Sequence, residues 1–210
     1  MEIETTKILG GVGAILMLIG MIPYSYLGVL ELIGLILVMI SLSYLAGYYK
    51  DKGIFNNALY GLIVGIVGGI VAIAVGVASV LASVTDFFYA LFPGWNGDWT
   101  TLPGMIPDFG NVSMDVLVPL VTGIIAVLLI IWIVLIVGTF LVRRSLVSLA
   151  AKSGVGLFST AGLLLLIGAL LLIIFVGVVI IWVALLLMAI GFFRIRAQQE
   201  PPPTPAAVPV

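Results

Sequence analysis

The sequence lacks cysteine and histidine altogether, and it contains few charged residues. Without cysteine it can form no disulfide, thiolate metal site, iron–sulfur cluster or cysteine nucleophile. Without histidine it has no imidazole haem ligand and no histidine general base, and most transition-metal sites are excluded. We therefore predict no catalytic residue, no cofactor and no metal site, and we expect a protein that is not an enzyme.

Charge is scarce enough to decide the class of protein. Only 8% of the 210 residues are charged, whereas a soluble domain carries about 25%. Hydrophobic residues make up 63% of the chain, so 8 basic and 9 acidic side chains cannot cover a water-exposed surface. The composition predicts an all-α integral membrane protein.

Apolar tracts between the charges define the membrane crossings. A crossing needs about 20 apolar residues at about 1.5 Å rise per residue. Two of the four tracts are too long for one crossing, because a single helix of 41 or 42 residues would span about 60 Å. The four tracts are 8–49, 53–85, 116–142 and 153–193. The first contains one charged residue, Glu31, and the other three contain none.

Both of the longest tracts are predicted to fold back into helical hairpins. Pro23 and its flanking tyrosines break the first tract, and a tight turn near Leu172–Gly177 breaks the last one. One transmembrane domain is expected over 1–199, followed by a Pro-rich cytoplasmic tail at 200–210 that is extended or disordered. The six helices are predicted near 6–22, 26–49, 54–84, 115–142, 155–172 and 175–194.

The distribution of charge predicts the orientation. With six crossings and both termini in the cytoplasm, every basic residue falls on the inner side, as the positive-inside rule requires. The outer loop 86–114 then contains acidic residues and no basic one, and it is predicted to be extracellular. No cleavable signal peptide is apparent, so the first helix is expected to serve as an uncleaved anchor. The basic residues are Lys7, Lys50, Lys52, Arg143, Arg144, Lys152, Arg194 and Arg196.

Two hairpins have similar sequences. The stretch Gly13–Gly20 aligns with Ala161–Gly168, and Gly47-Tyr48-Tyr49-Lys50 aligns with Gly191-Phe192-Phe193-Arg194. Both hairpins would run inside–outside–inside, so the pattern indicates a parallel repeat of the first and last hairpins. Chance likeness within a Leu-, Ile- and Gly-rich sequence is the alternative.

Three stretches resemble a known family. They are Lys7–Gly13, the run Tyr48–Lys52 with Ile54–Gly61, and Phe192-Phe193 before the Pro-rich tail. They are similar to the archaeal and bacterial multi-pass membrane family named domain of unknown function nine-nine-six. The resemblance covers most of the chain except the outer loop, and it implies a prokaryotic plasma-membrane protein, with an archaeon favoured. It implies no activity and no catalytic residue.

Glu31 is the one acidic residue inside an apolar tract. An ionisable residue in a membrane is a functional candidate by default. Nineteen residues, or about 28 Å of helix, separate it from Lys50, which places it near the outer interface. It is either an interfacial glutamate or a proton or cation site at an outer mouth.

Small residues recur on one face of two helices. Such stripes allow helices to approach closely in lipid, where no hydrophobic force drives association. They predict packing seams, either within the chain or between subunits. The seam residues are Gly61, Gly65, Gly68, Ala72 and Gly76 on the third helix, and Gly177, Ala184 and Gly191 on the sixth.

The outer loop contains aromatic residues and a glycosylation sequon. Four aspartates lie in the loop or next to it, but without the spacing of an EF-hand. Its aromatics are expected at the headgroup level. Asn111-Val112-Ser113 makes Asn111 a candidate for N-glycosylation. The basic clusters are too small to indicate nucleic-acid binding, and they fit contact with lipid headgroups.

These features favour a structural or accessory membrane protein that acts as a homo-oligomer or as a subunit of a larger complex. Its expected partners are the lipid bilayer, further copies of itself or other membrane proteins, and no nucleic acid. The alternative is a small transporter or channel with Glu31 near its outer mouth, since a pore can also form at an oligomer axis.

Overall fold

The computed structural model describes residues 2–22 and 28–196, which form six α-helices and three short 3-10 turns and contain no β-strand. All six helices, the fifth together with the 3-10 segment that follows it, are long and apolar enough to cross a membrane, which confirms the predicted all-α, six-helix fold. The predicted break at Pro23 and the tail 200–210 lie outside the described residues. The helices are α1 (Ile3–Gly20), α2 (Gly28–Tyr48), α3 (Lys52–Leu91), α4 (Met114–Ser153), α5 (Leu157–Leu170) and α6 (Val176–Phe193).

Helices α3 and α4 are longer than the apolar tracts predicted. α3 ends at Leu91 rather than near 84, and α4 ends at Ser153 rather than near 142. The predicted bounds stopped where charges begin, but a helix continues through charged residues once it has left the hydrocarbon. Gly154, in the left-handed conformation at φ 71°, ends α4 as a C-terminal glycine. The first residues of the predicted outer loop 86–114 are therefore helical.

The six helices form a ring in chain order. Each helix packs against the next one along the chain, and α6 packs against α1 to close the ring. Consecutive helices are antiparallel, so the basic residues gather at one end, here called the basic end, where α1 begins and α6 ends. The opposite end, here called the loop end, contains residues 92–113.

The largest fully buried side chains lie toward the basic end. Large side chains from five helices are fully buried there, and the rings of Phe158 and Phe192 meet edge to face at 5.1 Å. The junction of α2 and α3 is also fixed there, because the Asp51 carboxylate accepts a hydrogen bond of 2.9 Å from the Gly53 amide. The fully buried large side chains include Leu45, Ile54, Leu146, Leu149, Phe158 and Phe192.

The α3–α4 hairpin extends beyond its neighbours at the loop end. Both helices have 40 residues, or about 60 Å of helix, whereas the other four have at most 21. The Trp132 indole donates a 3.0 Å hydrogen bond to the carbonyl of Ala169, close to the end of α5. Most of α4 from Met114 to Trp132 thus projects past α5.

A tight turn joins α5 and α6. A 3-10 segment, Leu171–Ile174, leads to Phe175, which adopts the left-handed conformation at φ 61°. This turn overlaps the predicted position near Leu172–Gly177, and it contains no polar residue. The last apolar tract therefore forms two helices, as predicted.

Candidate functional site

The small residues predicted as a seam on α3 have two different environments. A methyl group at the Cβ position of Gly61 would lie 2.8 Å from the Gly138 carbonyl oxygen, and one at Gly68 would overlap the Val134 side chain. Ala72 is buried and Gly76 lies opposite Val127 across the same interface. Gly65 differs, because no atom lies within 4 Å of its Cβ position.

The predicted α6 residues all lie against α5 or in the core. The Cβ position of Gly177 overlaps the Gly168 carbonyl oxygen, so the two backbones are in direct contact. Ala184 is fully buried, and the Phe158 ring lies 3.1 Å from the Cβ position of Gly191. These contacts bring the α6 residues together with α5, whereas the α3 residues face α4 and a cavity.

A central cavity, which the sequence did not predict, lies between the helices of the ring. It has a volume of about 360 Å³, and residues from all six helices line it. Gly61, Gly65 and Gly138 line it, and of these three only Gly65 has open space at its Cβ position. Leucine, valine and methionine dominate the lining, and no sequence signal separates them from the same residue types on the lipid-facing surface. In the sequence, the small residues of α3 were the one indication of a cavity at this position.

The central cavity has no charged lining residue, and its single hydroxyl belongs to Thr139. That hydroxyl donates to its own helix, at 2.7 Å from the Leu135 carbonyl and 3.1 Å from that of Ile136. A buried water needs two to four polar partners, which this lining does not supply. The cavity suits an apolar occupant.

Glu31 lies at the loop end of α2 and away from the central cavity. It stands in the first turn of the helix, which begins at Gly28, and its side chain is exposed. The Cβ position of Gly20 lies 2.6 Å from the Glu31 backbone nitrogen, so α1 packs directly beside this turn. The proton- or cation-site prediction for Glu31 stays a prediction.

An aromatic cluster organises the loop end. Trp95 is buried, and its ring centroid lies 4.9 Å from that of Trp99 and 5.9 Å from that of Phe88. The Trp95 indole also donates a 2.8 Å hydrogen bond to the Asp98 carbonyl. The backbone amide of Thr100, and then its hydroxyl, donate to the Asp98 carboxylate and hold its pKa below the usual range. The loop is thus a folded cap on the α3–α4 hairpin.

Asn111, the candidate for glycosylation, is exposed at the loop end. Its side-chain amide donates a 2.9 Å hydrogen bond to the Asp108 carboxylate, and Asp108 also accepts from the Gly110 amide. Within the described ranges, no three acidic side chains gather closely enough to hold a metal ion. N-glycosylation of Asn111 stays a prediction.

A cleft at the basic end gathers cations from separate helices. Lys7, Arg194 and Arg196 line a cavity of about 820 Å³ beside the first residues of α5. Lys7 also forms an ion pair of 2.6 Å with Glu4. This surface fits the predicted contact with anionic headgroups.

Six apolar helices around a cavity with an apolar lining are those of a multi-pass helical membrane protein. The chain belongs to the family described as Protein of unknown function (DUF996), whose sequence profile matches residues 30–186, and this confirms the resemblance seen in the sequence. It is 28% identical over 196 residues to Uncharacterized protein MJ1644 of Methanocaldococcus jannaschii, an alignment that covers 93% of this chain and 94% of that protein. No solved structure matches the chain.

Proposed function

We propose that the protein is a non-catalytic structural or accessory membrane protein that acts through association with other membrane helices, as a homo-oligomer or as a subunit of a larger complex. The observation that carries the proposal is the apolar α5–α6 turn, whose side chains are exposed beside the projecting part of α4. The surface formed by this turn and the projecting part of α4 is here called the loop-end shelf.

The α5–α6 turn lies beside an apolar part of α4. Ile125 and Trp132 of α4 line a groove together with Ile173 and Phe175 of the turn. From Ile125 to Asp115, the first charge on α4, the helix continues for ten residues, or about 15 Å, and all ten except Asp115 are uncharged. The turn therefore lies beside an apolar part of α4, about 15 Å or more along the helix from Asp115.

Irregular backbone that borders lipid is tolerated where protein covers it, because lipid tails cannot satisfy free backbone polar groups. The turn carries no polar side chain to satisfy them, and its apolar side chains face outward, with Phe175 82% exposed and Ile173 63% exposed. A helix from another protein, seated on the shelf, would supply that cover. The groove beside the turn has a volume of about 420 Å³, enough to accept large side chains from such a partner.

Transport is supported less well. A transporter needs a polar path, whereas the central cavity is lined by apolar side chains and does not include Glu31. A polar path at an oligomer axis would itself require the association proposed here.

Cysteine cross-linking tests the proposal without background, because the chain contains no cysteine. Phe175→Cys places a thiol on the shelf, and Ile36→Cys places one at an exposed position of α2 away from it. With a short bis-maleimide in native membranes, Phe175→Cys is expected to give a product larger than the monomer and Ile36→Cys only monomer. Mass spectrometry of the product distinguishes a second copy from another protein.

Two results would overturn the proposal. One is a monomer-only pattern for Phe175→Cys, together with recovery of the isolated monomer from native membranes in mild detergent. The other is equal cross-linking of both variants, since this indicates random collision in the bilayer rather than a defined interface.

A further inference from the structure

We propose that the central cavity binds one hydrocarbon chain of a membrane lipid. The cavity lies inside the ring, and every helix contributes to its wall. Its volume of about 360 Å³ is more than twice that of the roughly 150 Å³ apolar cavity known to take up benzene. This binding site is independent of the loop-end shelf, which lies on the outer surface near the α5–α6 turn.

Small residues keep the cavity open where α3 passes it. Gly65 leaves open space at its Cβ position, although glycines one turn before and after, Gly61 and Gly68, are closed by α4. Ala58 and Gly138 also line the space. Close packing is the normal state of a protein interior, and an empty space loses the dispersion contacts of its walls. An occupant that fills this space restores them.

The chemistry of the lining selects hydrocarbon. Thr139 uses its hydroxyl within its own helix, so the wall presents no hydrogen-bond donor to an occupant. Three methionines, Met17, Met39 and Met188, line the cavity, and their flexible thioethers adapt to irregular apolar shapes.

We place the opening of the cavity between α2 and α3, because these two helices are the least extensively packed neighbours in the ring. Ile66, on its rim, is 55% exposed, and Gly65 is exposed as well. Lipid tails surround this opening at high concentration, whereas a water molecule would have to cross hydrocarbon to reach it. The geometry therefore points to a lipid chain that enters sideways from the membrane.

Photo-cross-linking tests this proposal on the full-length protein. The probe is a phosphatidylcholine with a diazirine at mid-chain, added to delipidated protein in detergent, and mass spectrometry maps the labelled peptides. Residues 134–142 of α4 contribute Val134, Gly138 and Thr139 to the wall, so their labelling is expected to be saturable and to fall at least fivefold with excess unlabelled phosphatidylcholine.

Two matched variants distinguish the cavity from surface lipid. Gly65→Phe fills the cavity and is expected to lower labelling of residues 134–142 at least fivefold. Gly69 is also on α3 and has nothing within 4 Å of its Cβ position, but it does not line the cavity. Gly69→Phe is therefore expected to label as strongly as the wild type. Met39→Trp, which adds a large side chain to the α2 wall of the cavity, serves as a second blocking variant if Gly65→Phe fails to fold.

The proposal fails if folded Gly65→Phe or Met39→Trp labels residues 134–142 as strongly as the wild type. It fails equally if unlabelled phosphatidylcholine does not compete, because the labelling then reports a detergent-filled or nonspecific site. Neither result bears on cross-linking through Phe175, so this site and the association surface are tested separately.

Discussion

At the scale of single residues, few polar side chains are buried, and each has a backbone partner. In the described part of the chain these are Thr6, Ser41 and Ser145. Ser41 on α2 donates to the Thr6 carbonyl of α1 at 2.9 Å, and Ser145 on α4 donates to the Ile54 carbonyl of α3. In both hairpins a serine near the basic end thus joins the second helix to the beginning of the first.

Ser145→Ala is expected to lower the free energy of unfolding by about 1 kcal/mol, since an interhelical hydrogen bond in a membrane protein contributes roughly that much. Ser79→Ala is the matched control, because the exposed Ser79 hydroxyl donates to the Val75 carbonyl of its own helix and not to a neighbouring helix. Both substitutions replace serine with alanine within a helix, so both gain the same helix propensity. Unfolding in mixed micelles with increasing dodecyl sulfate measures the difference. Equal stability of the two variants would mean that the Ser145 bond contributes nothing.

At the scale of helices, glycines set how closely neighbours approach. Gly168 and Gly177 bring the backbones of α5 and α6 into contact beside the turn, and Gly13 and Gly34 do the same for α1 and α2. Backbone atoms cannot move aside as a flexible side chain can. Each close pair therefore fixes the spacing of its hairpin.

Gly177→Ala is expected to destabilise the protein by about 1–3 kcal/mol, because the added methyl group overlaps the Gly168 carbonyl. Gly69→Ala, where the methyl group meets open space, is expected to be neutral or to gain up to about 1 kcal/mol from helix propensity. The same micelle unfolding assay compares the two. A Gly177→Ala variant as stable as Gly69→Ala would contradict the close approach of α5 and α6.

The sequence predicted the helices well, because long uncharged tracts are specified by composition alone. It misplaced the ends of α3 and α4, since a charge marks the edge of the hydrocarbon and not the end of a helix, as Arg143 within α4 illustrates. It identified Gly65 as a small residue but not as a cavity wall. In a chain whose leucines face both lipid and core, burial depends on which helices are neighbours, and hydrophobic periodicity does not reveal that.

At the scale of the whole molecule, charge is separated along the axis of the bundle. The basic residues lie at the basic end, and the loop end contains Asp98 and Asp108 among aromatic side chains. The positive-inside rule then predicts a cytoplasmic basic end and an extracellular loop end, with both termini of the described fold inside.

Thiol labelling of intact cells checks this orientation. Asn96→Cys, in the loop, is expected to react with a membrane-impermeant maleimide, whereas Lys50→Cys, at the α2–α3 junction, is expected to react only after permeabilisation. Residue 96 is exposed, and its side chain accepts one loop hydrogen bond, from the Asp98 amide, whereas the carboxylates of Asp98 and Asp108 accept two each. Labelling of Lys50→Cys but not of Asn96→Cys in sealed cells would reverse the proposed topology, and labelling of both would contradict the single crossing, α3, that separates them.

The closed ring in chain order has a consequence for how the protein is made. Each helix finds its partner in the helix synthesised immediately before it, so five of the six contacts around the ring form locally as the chain enters the membrane. Only the contact between α6 and α1 joins distant parts of the sequence. That last contact, where Phe192 meets Gly10, closes the ring and can form only after α6 has been synthesised.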